Sequence, residues 1–340
     1  MATLRSDIII PEVFTPYVIE ATTQRDAFLA SGVVQPMAEL NASEGGDFIN
    51  VPFFKANLSG DFEVLTDSTS LTPGKIEAAK QTGVILHRGR AFEVRDLAAM
   101  ASGADPMAAI ASKVADYVAN QRQKDLLKCL EGVFGSLTAN DSNSAFFPLA
   151  VDSESGDTRA ILSPRTVSKA RAKLGDQGDK LTAVAMHSDV YFDLVERKAI
   201  DYVSASDARA TADNAMPDAF GGSIAAAYGN PTVPTYMGLR VIVSDDIAPT
   251  STDYPIYFFT QGAIASGEQM AMRTETDRDI LAKSDAMSID LHYCYHPMGA
   301  RWKGSTVNPD RDTLATVGNW EQVFETKNIG IVRGTVTSNF

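Results

Sequence analysis

The spacing of apolar residues predicts one long helix from Asp105 to about Phe134. Asp105 can accept hydrogen bonds from the free amides of the first turn, and Pro106 has no amide hydrogen to leave unbonded. One side of this helix is apolar over its length, through Met107, Ile110, Val114, Tyr117, Val118, Cys129 and Leu130. At 1.5 Å per residue the helix is about 45 Å long, whereas the mean helix has about three turns. The sequence therefore predicts a supporting helix in the first half of the chain.

Polar residues interrupt the apolar side of this helix. Gln121, Arg122 and Asp125 project onto it, while Leu127 and Phe134 project off it. Either the helix changes its neighbours halfway along, or a network of polar side chains crosses it. The pattern alone leaves both interpretations open.

An alternating pattern predicts a two-stranded arm before the helix. Residues 48–55 are apolar on both faces, and Pro52 confines this strand to an edge or an irregular position. A second strand, Thr82 to Val94, is predicted to pair with the first. The polar residues 57–80 between them contain the turn Pro73-Gly74. Isolated hairpins are marginally stable in water, so the arm should lie on another surface. That surface is either a neighbouring molecule or the arm's own domain.

The rest of the chain alternates between short helices and strands. A helical pattern begins at Pro11, carries Phe14 on its apolar face and ends at Gly32, so it must dock on its own body or on a neighbour. Further helices are predicted at 163–174 and 190–200. The predicted strands are 181–186, 235–243 with a turn at Gly238, 254–259, the pair 263–273 and 286–296, and 329–336.

Composition indicates an acidic globular protein. The 340 residues are 44% hydrophobic and 21% charged, which excludes disordered and collagen-like classes. The net charge of -13 disfavours electrostatically steered binding to nucleic acid or to an anionic membrane, although an acidic wall facing DNA is compatible with it. Two cysteines are too few for a disulfide framework, which favours a reducing compartment. No stretch reads as a secretion signal or as a membrane-spanning helix, so we expect synthesis in a cytoplasm.

One group of residues has spacing suited to a metal site. His292, Cys294 and His296 fall on one face of a predicted strand, and such spacing can place imidazole and thiolate ligands on a common ion. The alternative is a half-polar strand face, which the absence of a second ligand cluster favours. The acidic groups Asp245-Asp246 and Asp152, Glu154, Asp157 are either divalent-cation ligands or solvated turns.

Apart from these candidate metal ligands, the sequence has no recognisable catalytic motif. No serine lies in a nucleophile elbow, and no glycine-rich loop has the phosphate-binding pattern. We therefore predict that the protein is not an enzyme and takes no cofactor. A metal-dependent hydrolase built on the histidine and cysteine residues is the enzymatic alternative.

The order of the elements resembles the major capsid proteins of tailed bacteriophages that have the Hong Kong 97-type fold. The resemblance covers nearly the whole chain, and it rests on the collinear order of seven loose motifs. These are GGDFINVPFF, the helix from Asp105 to Phe134, LTAVAMHSDVYFDLV, PTYMGLRVIVSDDIAP, YFFTQGAIASGE, CYHPMGARWKG and NWEQVFETKNIGIVRG.

The resemblance implies an α+β fold with the family's division of the chain. The expected parts are an N-arm at 1–44, an extended β-hairpin loop at 45–98, a peripheral domain with the long spine helix at 99–159, an axial α/β domain at 160–263, and strands returning to the peripheral domain at 264–340. Identical copies would self-assemble as hexamers and pentamers into an icosahedral shell of a virion, formed in the host cytoplasm. The shell would enclose double-stranded DNA without sequence-specific binding or a membrane.

The resemblance also implies partners and contact residues. The first partner is the chain itself, followed by a scaffolding protein, a portal and a decoration protein. The scaffold is expected to be separate because little chain precedes the N-arm. Candidate contacts between subunits are Phe14, Pro73, Gly74, Lys75, Gln121, Arg122 and Asp125. A local intramolecular network is the alternative for the last three, and an encapsulin-like cellular nanocompartment shell is the alternative function.

Overall fold

The computed structural model describes residues 28, 31–41, 45–55, 62, 76–96, 106–135, 146, 149–151, 161–204, 232–249 and 253–338. The predictions for Phe14, the N-cap Asp105 and the turn from Pro73 to Lys75 lie outside these residues, as does the acidic group at 152–157.

The long helix is confirmed as α1, Pro106–Phe134. Its middle part buries one side through Val114 and Val118, while Lys113 and Asn120 are exposed. From Asp125 onward it is buried nearly all round, through Leu126, Leu127, Cys129, Leu130, Val133 and Phe134. The helix therefore changes neighbours halfway along, as one of the two interpretations expected.

The first neighbour of α1 is a four-stranded sheet with the order β1-β11-β12-β4. Its strands are β1 Val34–Pro36, β4 Leu86–Arg95, β11 Ile264–Asp279 and β12 Ser284–Pro297. β1 runs parallel to β11, and the other pairs are antiparallel. The predicted long strand pair is confirmed as β11 and β12, and both strands continue into the charged run between them. Tyr117 of α1 packs edge to face on Phe92 of β4, with ring centroids 5.8 Å apart.

A second, seven-stranded sheet has the order β5-β15-β10-β6-β9-β8-β7. Its strands are β5 Ala150–Val151, β6 Leu181–Met186, β7 Asp201–Ser204, β8 Thr232–Tyr236, β9 Leu239–Val243, β10 Asp253–Thr260 and β15 Ile331–Thr337. β6 is buried on both faces apart from one residue, and β10 is buried throughout its middle, because helices or other chain segments cover this sheet. The end of α1 reaches it through Arg333, whose guanidinium donates to the carbonyls of Phe134 and Gly135.

Two helices accompany this sheet, α2 Pro164–Lys173 and α3 Ser188–Glu196. Pro164 begins α2 at the position where its missing amide hydrogen costs nothing. His187 is the N-cap of α3, and its Nδ1 accepts a hydrogen bond from the Asp189 amide at 3.1 Å. This histidine therefore has a structural role.

The predicted arm consists of β2 Phe48–Phe54 and β3 Ala78–Val84, paired antiparallel. The prediction of one second strand from Thr82 to Val94 was wrong, because the chain changes partner at Ile85. Val84 still pairs with β2, whereas Leu86 already pairs with β12. Ile85 is buried in a small cluster, and its amide donates to the Asp47 carbonyl. Alternation of side chains continues through such a junction, so the pattern does not reveal it.

The C-terminal part folds over the second half of α1. It comprises β13 Ala300–Trp302, α4 Arg311–Ala315 and β14 Trp320–Gln322, with short 3-10 helices at Val317–Asn319 and Thr326–Asn328; two others lie at Ala38–Leu40 and Gly175–Lys180. The approach to α1 is closest at Gly132, where an added Cβ would collide with the Leu314 carbonyl and the Trp320 indole. In the described part of the chain, no helix is long and apolar enough to span a membrane.

Candidate functional site

Asp125 is the centre of a buried polar cluster between α1 and the four-stranded sheet. Its side chain is almost fully buried. Oδ1 accepts a hydrogen bond from Nε of Arg311 at 2.5 Å. Oδ2 accepts from the hydroxyl of Tyr293 at 2.7 Å and from Nε of Arg88 at 3.1 Å. Both carboxylate oxygens are thus engaged within the chain.

The two arginines connect this carboxylate to distant segments. Arg311, at the start of α4, also donates to the side-chain oxygen of Gln121 at 2.7 Å and to its backbone carbonyl at 3.2 Å. Arg88, on β4, donates to Asn308 Oδ1 at 2.8 Å and to the Pro309 carbonyl at 2.7 Å. The cluster therefore joins α1, β4, β12 and the segment leading into α4.

Arg122, three residues before Asp125 on α1, makes a second connection between this helix and the four-stranded sheet. Its Nε donates to the Tyr295 hydroxyl at 3.0 Å, and its Nη1 pairs with Glu268 at 3.1 Å. The guanidinium lies over the Tyr293 and Tyr295 rings, at 5.0 and 5.6 Å from their centroids. Burial would lower the pKa of Arg122, but Tyr295 and Glu268 outweigh it and the pKa is raised.

The electrostatics of the cluster keep Tyr293 protonated. Burial and the charge of Asp125 raise the pKa of the Tyr293 hydroxyl well above its usual value, since ionisation would place two negative charges side by side. The hydroxyl therefore acts as a donor to Asp125 at every physiological pH.

A cavity of about 140 Å³ adjoins this cluster. Among the described residues, its wall includes four arginines, Arg88, Arg90, Arg122 and Arg311, and one carboxylate, Asp125. Such an excess of guanidinium groups is unusual in a chain with a net charge of -13. The cavity is thus a local basic site on an acidic protein.

The structure places Gln121, Arg122 and Asp125 in one intramolecular network, as the alternative interpretation of these residues expected. Their contact with a second subunit stays a prediction. The signal for the cluster was present as polar residues on an apolar helix face. Its partners Arg88, Tyr293 and Arg311 were missed, because they lie 37, 168 and 186 residues away from Asp125.

The candidate metal ligands His292, Cys294 and His296 each have other surroundings. His292 stacks on His87 with ring centroids 4.1 Å apart, and Cys294 is buried in an apolar cluster. His296 lies 3.0 Å from Gln81, through its Nε2. Among the described residues, no three His, Cys, Asp or Glu side chains are arranged to hold an ion.

Burial also sets the ionisation of these residues. It lowers the pKa of His296 to about 4 and raises the pKa of Cys294 to about 12. Burial and the adjacent His87 lower the pKa of His292. His296 and Cys294 are therefore uncharged and unreactive near neutral pH, in the manner of core side chains.

Two groups of exposed large apolar side chains lie on hairpins in the described part of the chain, and Phe192, Met237, Val243 and Val307 are exposed elsewhere. The arm exposes Phe54, Phe62 and Ile76, with Phe62 fully accessible. The turn between β11 and β12 exposes Ile280 by 78% and Leu281 by 97%. Apolar groups concentrated at the ends of hairpins are typical of surfaces that another protein covers.

This arrangement has the α+β, Hong Kong 97-like fold of phage capsids, and comparison with solved structures agrees. The chain is similar to the capsid of Ralstonia phage GP4, with a TM-score of 0.60 and 8% identity over 91% of this chain and 88% of that one. It is also similar to the capsid asymmetric unit of cyanophage Pam1, with a TM-score of 0.57 and 13% identity over 93% of both chains. The predicted fold class is therefore confirmed.

Comparison of sequences identifies the family. Residues 12–330 match the family model of the Gp13-like proteins, described as major capsid protein 13-like. The chain is also 35% identical over 341 residues to the major capsid protein of Bacillus phage SPP1, covering 96% of each. The chain belongs to this family of phage major capsid proteins, which confirms the predicted class of structural virion protein.

Proposed function

We propose that this protein builds a closed capsid shell from many copies of itself, as hexamers and pentamers around double-stranded DNA. The observation that carries the proposal is the 35% identity to a phage major capsid protein over nearly the entire length of both chains. The same relative favours a DNA-filled virion over a cellular nanocompartment. A scaffolding protein, a portal and a decoration protein complete the proposed set of partners.

The exposed hairpin ends support self-assembly as the activity. The arm packs on its own subunit as far along β2 as Phe53, whose ring contacts Phe324 edge to face at 4.8 Å. The next residue, Phe54, is exposed, and Lys55 pairs with Glu77 in solvent. The paired strands are thus held by the subunit up to Phe53, and we propose that the apolar groups from Phe54 onward are available to a neighbouring copy.

Replacing the loop tests whether the far end of the arm serves assembly or the folding of its own subunit. Because β3 begins at Ala78, residues 57–75 can be exchanged for a short Gly-Ser linker while both strands remain intact. We expect a folded, soluble subunit that no longer forms particles, whereas the parent chain assembles alone or with its scaffold. Loss of folding would instead show that the loop serves its own domain.

The proposed contact of Arg122 with a second subunit has its own test. Within the subunit, Arg122→Ala removes the bonds to Tyr295 and Glu268 together with the stacking on two rings. Assembly lost at unchanged subunit stability would support the contact between subunits. Destabilisation of the isolated subunit would support a purely internal role.

A further inference from the structure

We propose that the arginine-lined cavity beside α1 receives a carboxylate side chain from a neighbouring copy of this chain. The inference rests on the proposed function, because it requires that copies assemble. The proposed ligand is a carboxylate, and the proposed site is the cavity beside α1.

The first step is the balance of charge in the cavity. Four guanidinium groups line it, and Asp125 is the only carboxylate among the described residues of its wall. Both oxygens of Asp125 already accept bonds from Arg88, Tyr293 and Arg311. Arg122 has a further partner in Glu268 outside the cavity. At least one positive charge therefore lacks a counter-charge in the wall.

Arg90 carries a positive charge that has no counter-charge in the described wall of the cavity. It lies on β4 beside the cavity and is exposed to solvent. Nowhere in the described part of the chain does a side-chain hydrogen bond or ion pair engage its guanidinium. Arg311 likewise keeps Nη1, and Arg122 keeps Nη2, without a bond to any described residue. These donors can together bind one more planar oxyanion.

The shape and size of the cavity suit a carboxylate. Guanidinium groups bind carboxylates through paired, charge-assisted hydrogen bonds, and they do so best where water is partly excluded. A volume of about 140 Å³ holds such a group with a few waters, each of which takes about 30 Å³ in the liquid. The side chains of Arg88 and Arg122 are only 25% and 16% exposed, so the far wall is already partly dehydrated.

Charge complementarity points to a second copy as the source of the carboxylate. The chain has 43 acidic and 30 basic residues, so carboxylates outnumber basic groups on an approaching copy. A DNA phosphate is the chemically related alternative. It is disfavoured because a net charge of -13 repels the duplex and because the site is a cavity between a helix and a sheet.

Charge reversal at Arg90 tests the site directly. Arg90→Glu should leave the fold of the exposed strand intact, while it raises the protein concentration needed for assembly by about tenfold or more. Arg95→Glu is the matched control, since Arg95 is exposed on the same strand and does not line the cavity. Equal assembly of the parent and Arg90→Glu, or equal loss in both variants, would overturn the proposal.

A cross-linking experiment identifies the source of the oxyanion. Arg90→Lys keeps the charge and introduces an amine that a carbodiimide can couple to an adjacent carboxylate. Particles assembled from a mixture of ¹⁴N- and ¹⁵N-labelled subunits should yield cross-linked peptides of mixed isotope content at residue 90. Cross-links within single chains only, or none, would refute the proposal. If the parent chain forms no particles at all, the proposed function itself fails.

Discussion

Replacement of Asp125 by asparagine measures how much the buried cluster contributes to the subunit. The change keeps the size of the side chain, removes its charge and turns one acceptor oxygen into a donor that faces other donors. Removing one partner of a buried ion pair costs about 3–5 kcal/mol. Because Arg88 and Arg311 keep 25% and 36% of their side chains exposed, water compensates part of this loss. We expect destabilisation by about 2–3 kcal/mol.

Urea unfolding of the unassembled subunit gives the measurement. Trp302 and Trp320 pack edge to face with ring centroids 5.1 Å apart beside the end of α1, so their fluorescence reports on this part of the chain. With a slope of about 3 kcal/mol per molar urea, the midpoint should fall by about 0.7–1 M. Glu131→Gln is the control, because Glu131 is exposed on the same helix and pairs only with Lys128 among the described residues.

The control should change stability by less than about 0.5 kcal/mol. Equal midpoints for the parent chain and Asp125→Asn would refute the reasoning, because the carboxylate would then be dispensable to the subunit. A lowered midpoint with normal assembly of the surviving protein would place the role of Asp125 inside the subunit.

Three further predictions concern the core. Gly132→Ala should destabilise the subunit by about 1–3 kcal/mol through its clash with the α4 region, whereas Gly318→Ala, with open space around it, should change little in the same urea assay. The folded pKa of His296, about 4, lies below its ordinary value of 6.5, so stability is lost as the pH falls from 6.5 towards 4, by about 3 kcal/mol. His296→Gln should lose this component of acid sensitivity, and equal pH profiles would contradict the assignment. Cys129 and Cys294 are buried thiols with raised pKa values, and should react with a thiol reagent only after unfolding; labelling of the native subunit would contradict this burial.

Local pattern predicted the elements of this fold well. The helix α1 and the strand pair β11 and β12 follow from periodicity, because each buries a continuous apolar face and therefore carries a regular signal. The end of the second arm strand, at Ile85, could not be predicted from periodicity. A strand that leaves one partner for another keeps its alternation, so the change of sheet has no local signature.

The polar cluster was predictable only in part. Three polar residues on an apolar helix face indicate that other side chains must form hydrogen bonds or ion pairs with them. Gln121, Arg122 and Asp125 do have such partners. Their partners lie on β4, β11, β12 and α4, and the choice among many candidate side chains depends on tertiary packing. The basic cavity follows from the same packing, since its four arginines come from three separate elements.

The domain boundaries and the residues of the subunit interface stay predictions. The surfaces that we propose a second copy covers are the hairpins near Phe54 and Leu281 and the cavity at Arg90. Assembly through these surfaces needs no catalytic group, and the family is one of structural proteins.

Negative-stain electron microscopy of the purified protein, alone and with its scaffold, shows whether the subunit assembles into a closed shell. We expect large closed particles of uniform size in at least one of these conditions. A monodisperse monomer in every condition would contradict it.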